Sequence, residues 1–205
     1  MAEPTVESLV ALHAAFWNRT LEQPIINIDC SSAKRVEHVP ALPPQWQKQD
    51  SLALEPDMLS PAELQPAPMP LPNGSPLHGE VAFNTWSPYG RVPWISGIMG
   101  CRLKVSSIAQ TVWTEPYLGD GWHELENQGF APRLEWLDRL LDFSRYIVDR
   151  YYPAQCIPSL DQSARGPGGL VTQVLGAERS FFALYDHPRE MSLLIDQITD
   201  LYIHW

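Results

Sequence analysis

The sequence predicts an α/β fold with parallel strands, and three observations carry that expectation. A β-branched run, Ile25, Ile26 and Ile28, directly follows a segment with helical spacing. Further on, Pro132 to Arg150 has helical period and hands over to the strand-like "YYPAQCIPSL". Last, Met191, Leu194, Ile195, Ile198, Leu201 and Tyr202 give the strongest helical periodicity in the chain. Strand and helix in alternation are the signature of a parallel sheet covered by helices.

In chain order, Thr5 to Trp17 places Leu9, Leu12 and Phe16 on one face, with Thr5 able to cap. Pro24 to Ile28 reads as a short buried strand. The next segment, Val39 to Pro76, is proline-rich. Each proline removes an amide donor and fixes φ, so neither a long helix nor a central strand is expected there. An interdomain linker or a long functional loop fits it. "EVAFNTW" and "CRLKVSS" are plausible strands, with one or two helical turns in "VPWISGIMGC" between them. "TVWTEP" is extended and stops at Pro116.

The helix from Pro132 to Arg150 is expected to bury Leu134, Leu137, Leu141 and Ile147 or Val148, and to turn Asp138, Arg139, Asp142 and Arg145 outward. After a strand that includes Gln155–Pro158, Gly166-Pro167 opens a helix carrying Leu170, Val171, Val174 and Leu175, and Gly176 ends it. Glu178 to Tyr185 follows. Asp186 can cap the final helix, Arg189 to His204. The periodic pattern is still running at Trp205, so the sequence reads as a piece of a longer frame.

Composition narrows the function classes. The 205 residues carry a net charge of −10, and no basic stretch exceeds "AKR". Nucleic-acid binding is therefore disfavoured. No apolar run approaches the roughly 20 residues that span a bilayer, and the N-terminus lacks the basic start of a signal peptide. The three cysteines, Cys30, Cys101 and Cys156, are widely spaced and odd in number. That suits a reducing cytoplasm. The six histidines show no H-x-x-H or H-E-x-x-H pairing, so no metal site is legible.

"RGPGGLVTQVLGAERSFFALYDHPREMSLLIDQITDLYI", Arg165 to Ile203, resembles the middle of uroporphyrinogen-decarboxylase-like domains. Such domains carry an Arg-Gly-Pro turn, a short helix ending in Leu-Gly and a segment closing on Tyr-Asp-x-Pro in that order. "AFWNRTLEQPIINI", Ala15 to Ile28, is similar to the opening helix and first strand of one branch of that superfamily. "VPWISGIMGCRLKVSS…TVWTEP", Val92 to Pro116, is similar to its next block. The resemblance implies a (β/α)₈ barrel of TIM type. Residues 1–205 would supply its N-terminal half as part of one domain, with the Pro-rich loop at about 39–76. Half a barrel leaves inward strand faces wet, so such a chain is expected to be weakly stable and inactive alone.

The implied chemistry is decarboxylation of tetrapyrrole carboxylate side chains, which needs no cofactor, or corrinoid-linked methyl transfer. The latter requires a corrinoid partner protein and zinc, whose His and Cys ligands lie in the other half of the barrel. A homodimer is compatible with either. One departure stands out: the decarboxylases' Arg-Gln-Ala-Gly-Arg loop is absent, and "IDCSSAKRVEHVP" occupies that region, with Lys34 and Arg35 as its cations. A non-catalytic remnant or interaction module is the alternative.

In a barrel the site is built from strand C-termini. Asp29 is then the candidate catalytic acid, and Trp94, Glu115, Asp161 and Arg165 are candidate substrate-binding residues expected to cluster with it. An Arg at that mouth can grip a carboxylate bidentately. Each has a structural alternative as well: turn initiation for Asp29 and Glu115, helix capping for Asp161, a surface ion pair for Arg165 and core packing for Trp94. The glycines from Gly166 to Gly169 lack G-x-G-x-x-G spacing, so no dinucleotide site is expected.

Overall fold

The computed structural model describes residues 6–25, 42–68, 85–116, 118, 132–152, 157–159 and 166–204. Helix α1 (Val6–Trp17) forms where the spacing predicts it. Its Phe16 and Trp17 are exposed, their rings 5.4 Å apart edge to face. Most of the expected strand Pro24–Ile28 lies outside the described residues, as does Thr5.

The proline-rich segment is neither a linker nor a loop over its described part. Prolines open each of its described helical elements: α2 (Pro44–Gln47), a 3₁₀ turn (Pro56–Met58) and α3 (Pro61–Leu64). An amide is missing there at no cost, because the first helical N–H groups have no intrahelical partner. Strand β1 (Ala53–Leu54) fits between them. Leu42, Trp46, Leu54, Leu59 and Leu64 from this segment are all buried in one cluster with Trp94, Trp136 and Phe143.

Two sheets are present among the described residues. The larger has the order β1-β3-β4, with β3 (Arg102–Ser106) central and β4 (Thr111–Glu115) at one edge. Both pairings are antiparallel. The smaller joins β2 (Thr85–Trp86) to β5 (Ile157–Pro158) in parallel.

This arrangement overturns the (β/α)₈ expectation. A parallel pair needs a crossover of about a dozen residues or more. Only Ser107–Gln110 separates β3 from β4, so they must return as a hairpin. Gln110 sits at φ 51°, and Ser107 donates from its amide and its hydroxyl to Asp50 Oδ1, at 3.1 and 3.2 Å. Parallel pairing is confined to two residues on each of β2 and β5. The expectation of exposed half-barrel faces loses its premise with the barrel.

Helix α5 (Leu134–Tyr151) spans the predicted segment and buries the expected Ile147, with Leu137 packed partly buried against the core, but the rest of its stripe differs. Trp136, Leu140, Phe143, Ile147 and Tyr151 are buried, whereas Leu134 is 48 % exposed and Leu141 and Val148 are also exposed. The buried face is offset by one residue, about 100° around the axis. Both stripes have helical spacing, and the one carrying the large rings won. Trp136 packs over Gly97 in α4 (Trp94–Ile98), where an added Cβ would lie 2.8 Å from the indole ring. Arg133, before α5, bridges Glu55 at 2.9 Å and Glu135 at 2.7 Å, tying the Pro-rich segment to this helix.

Three helices close the chain: α6 (Pro167–Leu175), α7 (Ala177–Asp186) and α8 (Pro188–His204). Gly176 alone joins α6 to α7, at φ 86°. Leu170, Val171, Val174 and Leu175 are buried as predicted, together with Met191, Leu194 and Ile198 of α8. They form a second cluster with Met99 and Cys101. Helix α7 turns Phe181, Phe182, Leu184 and Tyr185 outward.

Burial pushes the Cys101 thiol from 9.0 up to about 12, and the Tyr89 phenol from 10.0 up to about 12 despite the nearby Arg91 charge. Both groups stay protonated in the fold where the unfolded chain loses its protons. The unfolded state then binds fewer protons, so stability falls as pH rises from about 9 toward about 12. Urea midpoints should drop between pH 8.5 and 11 by this linkage, and less steeply in Cys101→Ala. Equal drops in both proteins would remove Cys101 from the account.

Candidate functional site

A cleft of about 600 Å³ opens between three walls. One is the segment from Gly90 through Ser96 that leads into α4. Another is β4, continuing to Pro116. The third is α6 with Gly176 and Ala177. The volume is that of ordinary small-molecule sites, roughly 300–1,000 Å³.

The walls are pinned together by specific contacts. Ser96 Oγ hydrogen-bonds Gln173 Oε1, joining α4 to α6. Leu118 donates its amide to the Val174 carbonyl at 3.3 Å. Gly176 faces Pro116, where a Cβ would meet the proline ring at 3.3 Å. A side chain at that position would crowd the proline ring and strain the positive φ.

The chemistry of the lining is polar but barely ionisable. Arg91 is the one charged residue among the described lining residues. Hydroxyls come from Ser96, Thr111, Thr114 and Thr172, and an amide from Gln173. Trp113 adds a large ring that is 41 % exposed. Arg91 sets a positive charge beside these hydroxyls and the ring in the described lining. Such a site recognises an anion and an apolar or flat body together.

The predicted site residues are not brought together among the described residues. Asp29, Asp161 and Arg165 lie outside those residues, as do Lys34 and Arg35. Trp94 is fully buried, correcting its expected place in a cleft. Its ring packs against Trp136 and Phe143, at centroid distances of 6.3 and 5.2 Å, and its Nε1–H donates to the Tyr89 carbonyl at 3.2 Å. Glu115 stands on β4 next to the cleft, but its carboxylate is held by Lys104 Nζ at 2.6 Å. That ion pair is diagonal across the hairpin, since Lys104 lies opposite Trp113.

Arg91, Trp113 and Gln173 were the residues sequence reasoning missed. A signal for Trp113 existed. In "TVWTE" the apolar Val112 points to the core, so period-2 alternation puts Thr111, Trp113 and Glu115 on the outer face. Trp113 was thus placed to meet a ligand.

A shallower depression of about 430 Å³ is lined by Glu55, Asp57, Glu135, Asp138, Arg139 and Asp142. Its charges are largely paired: Arg133 holds Glu55 and Glu135, and Arg139 and Arg145 hold Asp142. Among the described residues, no three of His, Cys, Asp and Glu are grouped as metal ligands. No described helix is long and apolar enough to cross a membrane. No family model, curated protein or solved structure matches this chain.

Proposed function

We propose that the protein binds a carboxylate-bearing ligand in the cleft formed by the Gly90–Ser96 segment, β4 and α6. The observation that carries this reading is the cleft of about 600 Å³ itself, whose described lining sets Arg91 among hydroxyls, an amide and the exposed Trp113 ring. Arg91 meets the carboxylate, the Trp113 ring packs on the ligand body, and the threonine hydroxyls and Gln173 orient it. The cytoplasm is its place of action, on the basis of three widely spaced cysteines and a free, buried Cys101.

The test is calorimetric titration of the full chain with a porphyrin carrying propionate side chains and with a small monocarboxylate. Arg91→Gln should weaken binding by about tenfold or more, the usual weight of a hydrogen bond to a charged group. Trp113→Ala should weaken the porphyrin more than the small acid, because only the porphyrin covers the ring. Affinities unchanged by Arg91→Gln would sink the assignment.

A second reading is catalytic, and the three sequence blocks that resemble uroporphyrinogen-decarboxylase-like proteins support it. The ligand is then a tetrapyrrole acid undergoing decarboxylation, with Asp29 as acid, or a methyl donor served by a corrinoid protein and zinc. Arg165, Asp161 and Glu115 would contribute to substrate binding. Turnover of a reduced tetrapyrrole acid, abolished in Asp29→Asn, would favour catalysis. Binding without turnover favours the non-catalytic module.

A further inference from the structure

The described lining of the cleft divides into residues turned into the core and residues left for a ligand. Val92, Val112 and Leu170 are buried, so they give the space little apolar wall. Thr111, Thr114, Thr172 and Gln173 are half-buried, and Trp113 is exposed. Thr111 to Thr114 all line the cleft, although successive strand residues point to opposite faces. The cleft therefore runs along the edge of β4 and meets side chains from both faces.

The hydrogen-bonding capacity that remains there is of both kinds. Thr172 Oγ1 donates to the Gly169 carbonyl at 2.7 Å and keeps its lone pairs as acceptors. Gln173 Oε1 accepts from Ser96, and its Nε2 protons bond no described residue. Thr111 Oγ1 reaches the Val112 carbonyl only at 3.4 Å, and Thr114 Oγ1 bonds no described residue. A hydrocarbon body would strip water from these groups and return none of their bonds. One bearing acceptors alone would serve Gln173 and leave Thr172 unmet. Hydroxyl groups serve both, since each is one donor and two acceptors. The Trp113 ring adds a flat face whose π cloud is negative. A pyranose ring presents slightly positive C–H groups on such a face and carries its hydroxyls at the rim.

We propose that the ligand of this cleft is a sugar acid. Its pyranose ring lies on Trp113, its hydroxyls exchange hydrogen bonds with Thr114, Thr172 and Gln173, and its carboxylate meets Arg91. The carboxylate rests on the anionic-ligand reading above. The sugar ring rests on the hydroxyls, the amide and the indole.

The probes are glucuronate and galacturonate, titrated calorimetrically into the full chain beside two partial analogues. Cyclohexanecarboxylate keeps the ring and the acid without hydroxyls, and glucose keeps the ring and hydroxyls without the acid. One of the two sugar acids should bind, with cyclohexanecarboxylate about tenfold or more weaker because it leaves the polar lining unpaired. Thr114→Val should weaken the sugar acid about three- to tenfold and leave cyclohexanecarboxylate unchanged. Trp113→Ala should weaken the sugar acid by about threefold or more. Its methyl glycoside separates two sources: affinity kept assigns the end of a glycan, affinity lost the free acid, and either upholds the class.

Cyclohexanecarboxylate binding as tightly as the sugar acids overturns the sugar and leaves the anionic-ligand reading intact. Porphyrin binding without sugar-acid binding has the same meaning. Glucose binding as tightly as the sugar acids overturns the acid, and the anionic-ligand reading with it. Absence of binding by every probe sinks both readings together. The analogue series uses the unaltered protein, so these outcomes hold even where a variant misfolds.

Discussion

Replacing Trp94 with alanine should lower the melting temperature by roughly 6–20 °C, since a buried Trp→Ala change costs about 3–5 kcal/mol and each kcal/mol moves a chain of this size about 2–4 °C. The indole is fully buried, wedged between Trp136 and Phe143. Its removal opens a cavity under α5 and leaves the Tyr89 carbonyl without the Nε1–H donor at 3.2 Å. Against a total stability of about 5–15 kcal/mol, the loss is large enough to be read in any thermal scan. Trp113→Ala is the paired control. That ring is 41 % exposed, so its loss should move stability by only about 0.5 kcal/mol while weakening ligand binding. The reverse pattern, with Trp94→Ala stable but unable to bind, would put Trp94 back in a ligand site.

These two tryptophans show what the sequence made legible. Helix positions were readable because period and capping are local: Gly176 stops α6 at a positive φ that its missing Cβ allows, and Pro167 starts it through the φ that its ring fixes. The alternation of β3 and β4 was readable for the same reason. Their antiparallel return could have been read from the short connection Ser107–Gln110, too short for a crossover between parallel strands.

Which face of α5 is buried was not local. Leu134 and Trp136 both belong to stripes with helical spacing, and the choice depends on Gly97, a residue 39 positions away from Trp136 that lets the indole approach. The cleft was less legible still. Arg91, Trp113 and Gln173 come from three separated segments, and the packing of both α4 and β4 against α6 brings their elements together.

The Pro-rich segment supplies the other large effect. Trp46→Ala should cost about 3–5 kcal/mol, the same class of loss as a core tryptophan anywhere else. A linker would respond differently, because exposed substitutions there fall within about 0.5 kcal/mol. Trp46 is buried with Leu42, Leu54, Leu59 and Leu64, and this group packs on the α4 and α5 tryptophans. The prolines assist by opening short helices in which an amide is dispensable, so a proline-rich composition and a buried face coexist. The surface tie to α5 should matter far less. Arg133→Met removes ion pairs to Glu55 and Glu135 that lie at the solvent surface, where water screens them. Urea unfolding followed by far-ultraviolet circular dichroism measures both variants. A midpoint for Trp46→Ala within error of the parent, together with proteolytic cleavage at residues 42–68 of the native parent, would return the segment to the status of a tether. A midpoint lowered well below that of Arg133→Met makes it part of the core.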